Sequence, residues 1–162
     1  MKPADLLAVL GEFHREKLTL RERHAAVARH VSNYSFNNTY QYVIAREDVH
    51  LAWLESAIAE GGGTPAQVTE PVLPSPGRKP DSFLPLVQED ARAAEEFVTK
   101  WRARVGDVTH ARDRSMLQVI LGETLEHERF FDQMLAGRDD LLGRRMDGAG
   151  TGNGVLGVRW LG

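Results

Sequence analysis

An acid and a histidine one helical turn apart, Glu47 and His50, have a near copy 76 residues further on in Glu123, Glu126 and His127. Side chains spaced by three or four residues share one face of a helix, so each group can present a carboxylate and an imidazole together. Such a pair can hold a divalent cation or move a proton. An acid set in an apolar stripe is costly unless a positive charge neutralises it. Two stripes with the same chemistry point to a cation shared between helices. The chain has no cysteine, which excludes thiolate nucleophiles, disulfides, iron–sulfur clusters and zinc–thiolate sites together. A metal must then be held by nitrogen and oxygen, which favours iron, manganese or zinc.

Four helices are needed to position these groups. Apolar residues at three- and four-residue steps predict a first helix from about Ala4 to Tyr34, on Leu6, Val9, Leu10, Phe13, Leu20, Val27 and Val31. Asn37 and Asn38 mark a turn. A second helix is predicted from about Thr39 to Glu60, stopped by Gly61-Gly62-Gly63. Six of the seven prolines then fall between Thr64 and Leu86, a stretch too long for a hairpin turn. A third helix is predicted from about Pro85 to Val105 and a fourth from about Ala111 to Gly137. No segment alternates as a strand. Short turn, long crossover and short turn describe an all-α four-helix bundle in which helices 2 and 3 run parallel.

Each residue advances about 100° around a helix, so the faces can be counted. On helix 2, Glu47 is central among Tyr40, Val43, Leu51, Leu54 and Ile58, with His50 on the same face. On helix 4, Met116, Val119, Phe130 and Met134 place Glu123 at the centre, Glu126 where His50 sits, and His127 on the opposite flank. On helix 3, Asp90 shares the face of Leu86, Phe97 and Trp101. On helix 1, Glu16 and His24 share the face of Phe13, Leu20 and Val27. Glu16 precedes Glu47 by 31 residues and Asp90 precedes Glu123 by 33, which suits two hairpins related by a pseudo-two-fold axis. His14, His30 and His110 read as surface residues, and Tyr34, Tyr40, Tyr42, Trp53 and Trp101 as packing. Without a metal, the acids would have to pair with Lys17, His24 or an arginine.

One glutamate from each of two helices plus Glu-x-x-His from the other two is the pattern of ferritin-like di-iron carboxylate proteins. Over roughly residues 5 to 138 the chain resembles that superfamily, and the wording from Arg46 to Glu55 is similar to rubrerythrin and bacterioferritin helices. The resemblance implies two iron ions, or manganese, bridged by Glu47 and Glu123. It implies His50 as a terminal ligand, with Glu16 and Asp90 as outer carboxylates. Helix 4 departs from the pattern, with Glu126 at i+3 and His127 at i+4, and both stay candidates for the next ligand. The activity implied is oxidation of Fe(II) with dioxygen or peroxide, that is, ferroxidase or peroxide-reducing chemistry centred on Glu47 and Glu123. Oxygen-dependent hydroxylation of an organic substrate is the alternative within the same fold, and a non-catalytic bundle with a docking tail is the alternative outside it.

Composition agrees with one globular domain: 162 residues, 42% hydrophobic and 27% charged, with a net charge of −3. A nucleic-acid binder usually shows a basic excess, which is missing. No apolar run approaches the ~18 residues of a membrane helix, and the N-terminus lacks a signal-peptide core, so a cytoplasmic protein is expected. Residues 1–142 would form the bundle, alone or as a homo-oligomer. Residues 143–162 form a glycine-rich spacer, flexible in composition, and an apolar peptide. That peptide, Gly154 to Leu161, resembles the tails that dock cargo inside encapsulin shells, which implies a shell or other partner and a place inside a protein nanocompartment. Leu156, Val158, Trp160 and Leu161 would be its docking residues.

Overall fold

A computed structural model describes residues 1–67, 70–138 and 140–142. The spacer and C-terminal peptide, with Leu156, Val158, Trp160 and Leu161, lie outside the described residues. Four helices follow one another: α1 (Pro3–Ala28), α2 (Tyr34–Glu60), α3 (Leu84–Gly106) and α4 (Ala111–Leu135). There is no strand among the described residues. The expected all-α four-helix bundle, with its long crossover between α2 and α3, is the observed architecture. None of these helices is long and apolar enough to cross a membrane.

The first turn lies earlier than the asparagines suggested. α1 ends at Ala28, and Asn33 caps α2 by accepting a 3.0 Å hydrogen bond from the Phe36 amide. Asn37 sits inside the first turns of α2, where its Nδ2 donates to Ala28 O at 2.9 Å and Val31 O at 3.1 Å. It thus adds a second donor to Ala28 O, which also accepts from the Val31 amide at 3.2 Å, and binds the carbonyl of Val31 just beyond α1. Helix α2 stops as expected: Gly62 takes φ +82° and the Gly63 amide returns to Ile58 O at 2.9 Å. That left-handed step favours glycine.

The backbones approach closely in four pairings, α1 with α2, α3 with α4, α1 with α3 and α2 with α4. Between α1 and α3, Arg104 pairs with Glu12, Lys100 with Glu16 and Arg23 with Asp90. Rising numbers on one helix meet falling numbers on the other, so the two are antiparallel. Arg46 with Glu123 and Arg112 with Glu60 show the same for α2 and α4. Helices 2 and 3 are therefore parallel and diagonal, as are 1 and 4.

Burial divides the interior into two apolar cores. One gathers Val27, Phe36, Tyr40, Val43, Val87 and Phe131 towards the α1–α2 turn. The other gathers Phe13, Leu54, Phe97, Trp101, Leu117 and Ile120 towards the opposite end. Between them lie buried polar side chains: Lys17, His24, Glu47, His50, Asp90, Thr124 and His127.

Candidate functional site

Helix α2 presents its groups as counted from the sequence. Glu47 and His50 are fully buried, on the face that also buries Val43, Leu51, Leu54 and Ile58. Asp90 is likewise fully buried on α3.

Helix α4 is turned by one residue from the expected orientation, whereas α1 buries the expected Phe13, Leu20, His24 and Val27 and departs only at Glu16. On α4 the inward residues are Leu117, Ile120, Thr124, His127, Phe131 and Met134, while Val119 is half exposed. The centre of this face is Thr124, and the inward i, i+3 pair is Thr124 with His127. Glu123 and Glu126 are only partly buried on its flanks. On α1 the inward residues are Leu10, Phe13, His14, Lys17, Leu20 and His24. Glu16 instead lies at the rim, bound by Lys100 Nζ at 2.5 Å and by Trp101 Nε1 at 3.2 Å.

The buried groups form a chain of alternating charge. Lys17 Nζ donates to Thr124 Oγ1 at 2.8 Å and lies 3.2 Å from Glu47 Oε2. Thr124 in turn donates its hydroxyl to Ile120 O at 2.8 Å. The other oxygen of Glu47 meets His24 Nδ1 at 2.5 Å, and His24 Nε2 is 4.0 Å from Asp90 Oδ1. Asp90 accepts from Arg23 Nε at 2.7 Å and from the Tyr40 hydroxyl at 2.6 Å. Beside this chain, Arg46 grips Glu123 through two nitrogens at 2.7 and 3.0 Å, and His50 Nε2 stands 3.2 Å from Glu123 Oε2.

Electrostatics follow from these neighbours. Burial pushes the Glu47 carboxyl up, but the His24 and Lys17 charges outweigh it and hold the group well below the usual carboxylate range. Burial pushes His24 down, yet the flanking Glu47 and Asp90 carboxylates raise it overall. Burial wins at Asp90, which is raised despite His24, Tyr40 and Arg23. His127 is held well below its ordinary value, first by burial and then by the Lys17 charge. His50 is lowered too, chiefly by burial.

Among the described residues, several buried atoms have no hydrogen-bond partner: both ring nitrogens of His14, Nε2 of His24, and Nδ1 of His50 and of His127. His14, expected at the surface, is fully buried, with Nε2 3.5 Å from Glu55. Tyr34, expected in the packing, is 80% exposed, whereas His30 and His110 are exposed as expected.

A dinuclear centre needs acids that bridge the ions and room between them. Here the Lys17 ammonium fills that room, a hydroxyl stands at the centre of α4, and Arg46 neutralises Glu123. Among the described residues, no group of three or more His, Asp or Glu side chains is arranged to hold a metal ion. In this arrangement the residues do not fit two metal ions.

The fold and the layer together define a four-helix bundle with an internally compensated polar centre, compatible with a ferritin-like fold. No protein-family model matches the chain, and no curated protein matches it either.

Thr124 escaped the sequence reading, although moving the frame of helix 4 by one residue aligns Leu117, Ile120, Phe131 and Met134 around it. Arg23 and Arg46 carried no signal beyond the need of buried acids for a positive partner.

Proposed function

We propose that this chain is a non-catalytic bundle of the ferritin-like superfamily whose centre is held by its own lysine, and which serves to carry the C-terminal peptide to a partner. The observation that supports it is the Lys17 ammonium standing between Glu47 and Thr124, where it supplies the positive charge that the buried acids require. Anaerobic loading with Fe(II) tests the reading. Fewer than one iron per chain is the expected result; two irons per chain, lost in Glu47→Ala, would overturn it. The docking role is tested by grafting residues 148–162 onto a fluorescent protein and co-expressing it with an encapsulin-type shell. Fluorescence that sediments with the shell supports that partner, and free reporter removes it.

A second reading is a di-iron or di-manganese oxidoreductase, oxidising Fe(II) or reducing peroxide, or hydroxylating an organic substrate. It draws support from the buried rings of His50 and His127, stacked with centroids 6.2 Å apart and each with an unpartnered nitrogen. This reading requires Lys17 to leave Glu47, and the same iron count decides it.

A further inference from the structure

We propose that the apolar C-terminal peptide docks on its own bundle, seating Trp160 in the groove that α3 and α4 form beside Gly122. The inference rests on the reading of that peptide as a docking element and adds a second seat for it: the bundle holds the peptide until a partner displaces it.

Val98 and Val105 of α3, with Leu121 and Leu125 of α4, line a groove of about 240 Å³. Small-molecule pockets run to ~300–1,000 Å³, so this one suits a single bulky side chain presented by a peptide. Gly122 lines the same groove in the middle of α4, where a glycine costs about 1 kcal/mol relative to alanine. Beyond its two chain neighbours and the helix's own backbone, nothing lies within 4 Å of a Cβ built there. The glycine therefore leaves open a space that the described bundle does not fill. Arg102 and Gln118 line the groove from exposed positions, and Arg102 makes no ion pair among the described residues. A guanidinium beside an apolar slot suits the face of an indole. The bundle already makes that contact where Arg104 lies 4.1 Å from the ring centroid of Trp101. The C-terminal peptide supplies an indole at Trp160, between Val158 and Leu161. Two other grooves along α3 are lined by Glu96 and Lys100, charges that a docked indole would desolvate at a cost.

Reach and tethering favour the peptide of the same chain. Leu125 and Gln118 lie about 15–25 Å back along α4 from Leu135, at 1.5 Å per residue. The chain from Leu142 to Trp160 spans up to about 60 Å when extended. A flexible tether of this kind holds its peptide at an effective concentration in the millimolar range. A seat with one anchor is then enough within a chain, where it would be too weak between chains.

The chain has no cysteine, so a pair of introduced cysteines reports proximity directly. Gln118→Cys at the groove is combined with Gly162→Cys on the peptide in the full chain, and disulfide formation is followed at low protein concentration. The control pairs the same Gly162→Cys with Ala52→Cys, exposed on α2 at the height of Gln118. The disulfide within one chain is expected to form about tenfold faster at Gln118→Cys than at Ala52→Cys. Trp160→Ala and Gly122→Leu are each expected to bring the faster rate down to that of the control. Gly122→Leu fills the open space while favouring the helix, so its effect reports the groove and not unfolding. Equal rates at the two positions, or a fast rate that both substitutions leave unchanged, overturn the inference. A disulfide that links two chains instead of closing within one overturns it as well. None of these outcomes bears on the iron count or on capture by a shell, which test the reading above separately.

Discussion

Lys17 and Thr124, each at the centre of the inward face of its helix, meet at 2.8 Å across the diagonal of the bundle. The hydroxyl accepts from the ammonium and donates to Ile120 O, so both of its hydrogen-bonding roles are used. Thr124→Val keeps the shape and removes the acceptor, leaving one buried ammonium proton without a partner. A loss of about 1–3 kcal/mol in urea unfolding is expected. Thr124→Ser should retain most of the stability, and an unchanged unfolding midpoint in Thr124→Val would contradict the contact.

The Lys17–Glu47 pair should behave as a unit. Lys17→Met leaves Glu47 with His24 alone and should cost about 3–5 kcal/mol, as breaking a buried pair does. Adding Glu47→Gln should recover a clear part of that loss, so the double variant is more stable than additivity predicts. By contrast, Glu16→Gln removes a rim contact with Lys100 and should cost no more than about 1 kcal/mol. Strict additivity in the cycle would show that the pair is not coupled.

Stability should peak near neutral pH. His127 and His50 lie below the ordinary histidine value of 6.5, so the unfolded chain takes up their protons first. Their contribution is full above pH 6.5 and is lost as the pH falls from there towards their folded values. Glu123 adds a second loss: burial raises it, but His50 and Arg46 bring it from 4.5 to about 2, and its contribution fades across that interval. His24 acts in the opposite sense. Raised from 6.5, it stabilises most below that value, and its contribution is lost as the pH climbs through its folded value. Two lowered imidazoles against one raised should make the urea midpoint fall between pH 6.5 and 5. His127→Gln should flatten that slope, and a midpoint that rises on acidification would sink the scheme.

Asn37 should matter although it lies outside both apolar cores. Its amide donates to two carbonyls, Ala28 O at the end of α1 and Val31 O in the turn that follows. Asn37→Ala should cost about 1 kcal/mol for each bond lost. Exposed Asn38→Ala should stay within about 0.5 kcal/mol of the native chain. Equal melting curves for the two variants would refute the bridging role.

The helix count, the crossover and the inward face of α2 were all legible in the sequence, because Val43, Leu51, Leu54 and Ile58 leave only one centre for that stripe. Helix α4 was not, since Met116 and Phe130 are half-buried on a flank and pull the apparent centre from Thr124 to Glu123. On α1 a lysine is ordinarily assigned to solvent, which shifted the inward position to Glu16. The same habit set His14 at the surface, whereas it is fully buried. Asn37 and Asn38 have turn chemistry, but Asn37 spends its side chain on the neighbouring helix end from within α2. The arginine partners of Asp90 and Glu123 depend on which helices become neighbours, and periodicity within one helix carries no such information.

The division of the interior into two apolar cores bears on how the helices stay level with one another. Leucine packed on phenylalanine discriminates poorly between neighbouring axial positions, and a slip of one turn, about 5.4 Å, would find new apolar partners at either end. The polar layer permits no such slip. One turn would carry Lys17 from Glu47 and Thr124 into the Phe13 core and leave His24 and Asp90 facing hydrocarbon. A single charged stratum thus fixes the height of all four helices, much as one buried asparagine fixes register in a coiled coil.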